Sequence, residues 1–206
     1  MTAHHAAHGI PLRRATAGRR TSGNATIHQI NPAAAPAESA ALPSAEFADA
    51  FRGHAGGVAV ITADAGDGPV GFTATSVTSI SADPPLLAFS ISDQSSSSPT
   101  VRQAESVVIH LLGSSQLDIA QLCATSGVDR FADTSIWSRL TTGEPFFPAA
   151  RTWIRGTVID RVRAGTATVI IVEASHSGAS GSAADETPLV YHSRTWHHLG
   201  EHSRVD

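Results

Sequence analysis

The chain of 206 residues contains no lysine, and its only strongly basic side chains are arginines. That absence excludes a Schiff-base enzyme, a lysine general base and a phosphate-loop nucleotidase, each of which needs an amine at its site. A single cysteine, Cys123, excludes an intrachain disulfide or a thiolate metal cluster and fits a reducing cytoplasm. Its simplest reading is a small buried apolar side chain. No apolar run approaches the length of a membrane span. A net charge of −4 without a basic stripe argues against nucleic acid as a partner. Arg19-Arg20 is not followed by the apolar segment of an export signal, because His28, Gln29, Asn31 and two prolines break the stretch that follows.

What remains is an ordinary globular composition, 41% hydrophobic and 16% charged, enough for one domain with a real core and a tail. Residues 1–43 show no sustained period and read as a disordered N-terminal tail, in which His4, His5 and His8 are solvated. Residues 44–200 read as the domain and 201–206 as a C-terminal tail.

Within the domain, Ser44 to Phe51 predicts a short amphipathic helix capped by Ser44, with Phe47 and Phe51 one turn apart. Val58 to Ala63 is apolar without interruption, as in a strand buried on both faces. Gly66-Asp67-Gly68 makes a hairpin tip. Val70 to Ile80 then alternates as one strand with a polar face, and Asp83-Pro84-Pro85 ends it. Leu86 to Ile91 is a second, mostly apolar strand, followed by the hydroxyl-rich run Asp93 to Pro99.

Further on, Pro99 to Ala104 and Ser114 to Ala124 predict helices around a buried strand, Ser106 to Leu112, whose His110 reads as a core residue. Thr134 to Leu140 reads as one more turn around Trp137. Arg151 to Arg163 and Thr166 to Ala174 form an antiparallel pair turning at Ala164-Gly165. Ser175 to Thr187 reads as a flexible loop, Pro188 to His192 as a closing strand and Thr195 to Leu199 as a strand or turn. Six or seven strands with two or three short helices point to a mostly β barrel or sandwich. A large planar ligand would then sit outside the sheet, in a groove completed by a second subunit.

Two hydroxyl clusters lie close in sequence, one along Val70 to Ile80 and one along Asp93 to Pro99. Hydroxyls and turn amides can hold a phosphorylated cofactor without lysine. The same residues are also ordinary on exposed strand faces and in loops. His192, His197, His198 and His202 would serve a metal-binding module, but their spacing matches no recognised ligand set. No acid–base dyad stands out.

The runs GGVAVIT (56–62), PVGFTATSVTSISADPPLLAFS (69–90), SSSS (95–98), VVIHLLGSSQLDIAQL (107–122) and PLVYH (188–192) resemble the short-chain flavin reductase family. The resemblance spans about Phe47 to Leu199. It implies a mostly β, FMN-binding split barrel of Greek-key type and an NAD(P)H:flavin oxidoreductase. Such an enzyme supplies reduced FMN or FAD, at the expense of NADH or NADPH, to a flavin-dependent monooxygenase. A cytoplasmic homodimer is implied, with no nucleic acid or membrane partner.

Residue by residue, the family pattern places Gly71, Phe72 and Thr73 along the flavin ring, and Thr75 and Ser76 near the ribityl chain and phosphate. Ser90, Ile91 and Ser92 fall beneath the ring, and Ser96 and Ser97 in a phosphate loop. No catalytic side chain is implied, since the flavin carries the chemistry. Two positions depart from the pattern: Leu122-Cys123 where many members have Arg-Phe, and Gly165-Thr166-Ala167 where many have Gly-Asp-His. A non-catalytic flavin carrier of the same fold would share all of these motifs, and a pyridoxamine-phosphate-oxidase-like barrel would call for more basic residues.

Overall fold

The computed structural model describes residues 27–29, by their backbone, 41–179 and 186–205. The fold is built on its longest hairpin. Alternation of β-branched and polar residues produces two strands of 13 residues each, Thr152–Ala164 and Ala167–Ala179, joined at Gly165, whose φ of 61° suits a residue without a Cβ.

In chain order the elements are β1 (Ile27–Gln29), α1 (Ser44–Arg52), β2 (Gly56–Gly57), β3 (Ala59–Ala63), β4 (Val70–Ala74), β5 (Thr78–Ala82), β6 (Pro85–Ser92), α2 (Ser98–Gln103) and β7 (Ser106–Leu111). There follow α3 (Leu117–Ala124), entered through a 3-10 turn at Ser114–Gln116, then β8 (Ser138–Arg139), β9 (Pro145–Phe146), β10 and β11 (the long hairpin), β12 (Leu189–His192) and β13 (Thr195–His198). The main sheet runs β4-β3-β7-β10-β11-β6-β5, with β1 added beside β10. A smaller sheet, β13-β12-β2, packs at one end.

The path has an unusual closure. Its two end strands, β4 and β5, are joined by only Thr75, Ser76 and Val77, so the sheet must curl to bring its ends near each other, although the two do not pair. This is the split-barrel form. Val70 to Ile80 is therefore two strands rather than the single one its alternation suggests. The hydroxyl of Ser76 fixes the break, accepting from the backbone N–H of Ser90 (3.0 Å) and donating to its carbonyl (3.2 Å).

Inside the roll, Ile61, Phe89, Ile91, Val107, Ile109, Ile170 and Val172 are almost wholly buried. A second cluster outside it, with Val60, Phe131 and Phe147 among its members, anchors α3 and the loop that follows. His110 stitches β3 and β7 to this cluster. Its Nδ1–H donates to the Val60 carbonyl (3.0 Å), while Nε2 accepts from the Phe147 amide (3.0 Å). Burial holds its pKa down at about 4, against a smaller opposing effect of the Val60 bond, so the ring is neutral at ordinary pH.

Several expectations change. Thr134 to Leu140 is not a helical turn: Ser138 and Arg139 pair with Phe146 and Pro145 in a small hairpin. Ser175 to Ala179, read as loop, prolongs β11, because its backbone continues the ladder with Thr152 to Arg155 whatever its exposed polar side chains prefer. Ser44 does not cap α1 but is its first residue; Pro43 takes the N-cap position and supplies no side-chain cap. Most of the expected tail lies outside the described residues, but 27–29 form a parallel strand against Arg161 to Arg163. They add onto a stretch of β10 left open where β7 stops at Thr157. At the other end, Glu201–Ser203 form a short 3-10 turn.

Candidate active site

A groove of about 620 Å³ opens where the rolled sheet meets itself. The end of β4 supplies Phe72, Thr73, Ala74, Thr75 and Ser76, and the end of β6 supplies Ser90, Ile91 and Ser92. Gln94, Ser95 and Ser96 form one rim, and the segment after α3, from Cys123 to Arg130, forms the other. That volume is within the range of cofactor clefts.

Eight of the ten residues expected at a flavin site line this groove, and two do not. Gly71 lies behind it, where a Cβ would sit 3.4 Å from the Phe131 ring and 3.5 Å from the Thr62 methyl. Ser97 is buried and donates to the Gly71 carbonyl at 3.0 Å, so it fastens the serine loop to β4. Among the lining hydroxyls, Thr73 already donates to the Ala120 carbonyl (2.6 Å) and thereby docks α3 against β4. Thr75 makes no hydrogen bond among the described residues.

Arg130 is the groove residue that sequence reasoning missed. Its Nη2 donates to the Thr125 carbonyl (2.7 Å) and its Nη1 lies 3.5 Å from Ser96 Oγ. Its Nε is buried without a hydrogen-bond partner, and no carboxylate pairs with the guanidinium among the described residues. A half-buried, unpaired guanidinium beside serine hydroxyls and loop amides is suited to a phosphate. Arg130-Phe131 is itself an Arg-Phe dipeptide, eight residues beyond Leu122-Cys123, and Phe131 is buried. The sequence signal was present in that dipeptide, but the loop carries no period that would have placed it.

Other groups set limits on the chemistry. Burial pushes the Cys123 thiol up to about 12 despite the nearby Arg130 charge, so it offers no thiolate. Ala167 pairs with Ser92 at the end of the sheet, which puts a methyl group where the flavin reductase pattern has histidine. Asp93 accepts from Arg102 (3.2 Å) and faces Arg163 (3.6 Å), while its amide donates to the Thr166 carbonyl, locking the serine loop to the β10–β11 turn. Among the described residues no cluster of His, Cys, Asp and Glu could hold a metal ion, His192, His197, His198 and His202 included.

Known proteins share this arrangement. An NADH:FMN oxidoreductase of Rhodococcus qingshengii is 43% identical over 165 residues, covering 78% of this chain and 84% of its own. The reductase component of a 4-nitrophenol 4-monooxygenase/4-nitrocatechol 2-monooxygenase of Rhodococcus opacus is 28% identical, covering 77% and 82%. The flavin reductase domain protein of Arthrobacter sp. FB24 superposes with a TM-score of 0.71 at 32% identity, covering 78% of this chain and 96% of that one. The flavin reductase like domain matches residues 51–200, from the end of α1 past the last strand. With a rolled sheet, a hydroxyl-lined seam and a match over most of its length, the chain belongs to the flavin reductase like domain family.

Proposed function

We propose that this protein is an NADH-dependent flavin reductase that passes reduced FMN to a flavin-dependent monooxygenase. The observation that carries the reading is the Arg130 guanidinium, without a carboxylate partner among the described residues, beside Ser96 at the rim of a groove of about 620 Å³.

The residues fit FMN. Arg130, Ser96 and the adjoining loop amides would hold the phosphate, and Thr75 and Ser76 would lie along the ribityl chain. The floor formed by Phe72, Ile91 and the β6 backbone would support the ring. Bound flavin supplies the hydride acceptor. The protein's part is to fix one face of the ring and leave the other open to a nicotinamide at near-attack distance, which requires no acid–base pair. That agrees with a groove whose lining side chains include no carboxylate and no histidine. Arg130 is the one cation among the described residues lining the groove, so retention of a phosphate there would be modest, as suits a flavin that leaves for another protein.

A homodimer is supported by the open side of the groove and by the exposed apolar side chains of Phe47 and Ile80, 54% and 52% accessible. Among the described residues no helix is long and apolar enough to cross a membrane. The single, buried cysteine supports a cytoplasmic setting.

The test is oxidation of NADH by the purified protein, followed in the nicotinamide band at about 340 nm, with and without FMN, FAD or riboflavin. Rapid FMN-dependent oxidation is expected. Absence of oxidation, with FMN binding intact by fluorescence quenching, would overturn the enzymatic reading and leave a flavin carrier.

A further inference from the structure

Thr75 belongs to two cavities. One face of it lines the flavin groove, and another lines a separate pocket of about 260 Å³ whose walls include Phe51, Arg52, His54, His192 and Arg194. The close contact is built in: Gly56 packs so tightly on Thr75 that a Cβ there would lie 2.9 Å from the Thr75 Cβ. The pocket draws from three parts of the chain, the end of α1, the bend after β4 and the β12–β13 turn. The Ser193 amide donates to the Arg52 carbonyl at 3.1 Å and ties the first and last together. Its rim carries two guanidiniums and two imidazoles. Arg52 is paired with Asp49 (2.6 Å), whereas Arg194 makes no hydrogen bond or ion pair among the described residues.

The turn itself is costly. His192 pairs with Thr195, leaving Ser193 and Arg194 as a two-residue loop with φ of 49° and 62°. Both angles lie in the left-handed region, where such turns favour Asn and Gly, and each non-glycine residue is strained. Strained backbone marks functional segments often enough to direct attention to the side chain it carries, here the arginine at the pocket rim.

We propose that this pocket receives the adenylate phosphate of a dinucleotide whose reactive ring lies in the neighbouring groove, with Arg194 as its principal contact. This rests on the groove being the flavin site. A mononucleotide such as FMN ends within the groove, but NADH and FAD both carry a further phosphate and an adenosine beyond it. Thr75, shared between the cavities, is the wall over which such a ligand passes.

Arg194→Gly separates this role from folding, because it removes both the charge and the left-handed strain. With FMN saturating, the variant is expected to raise KM for NADH by about tenfold. KM for reduced nicotinamide mononucleotide, which lacks the adenylate, should stay unchanged, and Tm should be equal or higher. If the occupant is instead the adenylate of FAD, the dissociation constant of FAD rises by that factor while those of FMN and NADH hold. Either pattern supports the assignment and names the source. Values for NADH and FAD both within twofold of the unmodified protein overturn it, as does an equal change for NADH and its truncated form. Should the unmodified protein bind no FMN by fluorescence quenching, the groove assignment has failed and this one falls with it, an outcome distinct from unchanged NADH and FAD values in a protein that binds FMN.

Discussion

Arg130 Nη1 lies 3.5 Å from Ser96 Oγ, joining the loop after α3 to the serine run before α2 across the mouth of the groove. Removing that charge with Arg130→Ala is expected to weaken FMN binding by about ten- to a hundredfold, the worth of one charge-assisted hydrogen bond. Binding of riboflavin, which has no phosphate, should stay within twofold. Titration by flavin fluorescence quenching gives both constants, and an equal loss for the two flavins would refute a phosphate role.

His110 makes the fold acid-sensitive in a defined window. Its folded pKa of about 4 lies below the ordinary imidazole value of 6.5, so at low pH the unfolded chain takes up a proton that the folded chain refuses. The stabilisation is full above pH 6.5 and is lost as pH falls towards 4, a decline on the order of 3 kcal/mol. Denaturant melts at several pH values should show a shallower decline for His110→Asn than for the unmodified protein. Parallel curves would mean that other groups set the slope.

Glu144 accepts from Ser106 Oγ (2.5 Å), from Thr142 and from Arg155 (2.6 Å), fixing the β8–β9 hairpin to β10. Burial alone would raise its pKa, but these partners outweigh burial and hold it at about 2. Its stabilising contribution is therefore present above about pH 4.5 and lost as pH falls towards 2. Glu144→Gln is expected to lower stability at neutral pH by about 1.5–3 kcal/mol, because Arg155 is left half-buried without its counter-charge. Guanidinium unfolding measures it, and a change below about 0.5 kcal/mol would show the network to be dispensable.

Gly156 stands at an irregularity in the β10–β11 ladder, where an added Cβ would lie 2.3 Å from Val172 Cγ1 and 2.7 Å from the Glu173 carbonyl. Neither neighbour can retreat, since Val172 is fully buried and the carbonyl belongs to the sheet. Gly156→Ala should cost about 2–3 kcal/mol by overpacking. A melting temperature within a degree or so of the unmodified protein would show that the bulge absorbs the methyl group.

The strands were legible wherever apolar residues repeat or run together, as in Val58 to Ala63, all buried from Val58 onward, and Leu87 to Ile91. The turn residues Gly66, Gly68 and Gly165 were legible too, and each has a positive φ. What could not be read were effects carried by partners distant in sequence. Ser76 and Ser97 look like ligand hydroxyls, yet each is spent on a backbone group, of Ser90 and of Gly71 respectively. Ser138-Arg139 becomes a strand only because Pro145-Phe146 lies opposite. Arg130 sits in a loop of no period, and its place in the groove follows from the burial of Phe131 beside it.

The parallel strand at Ile27–Gln29 covers an edge of the main sheet. Without it, Arg161, Val162 and Arg163 would present bare amide and carbonyl groups to solvent along the edge of β10, a template on which other chains can stack. Ile27–Gln29 thus cover an edge on which other chains could pair, and deleting them is expected to leave a stickier protein.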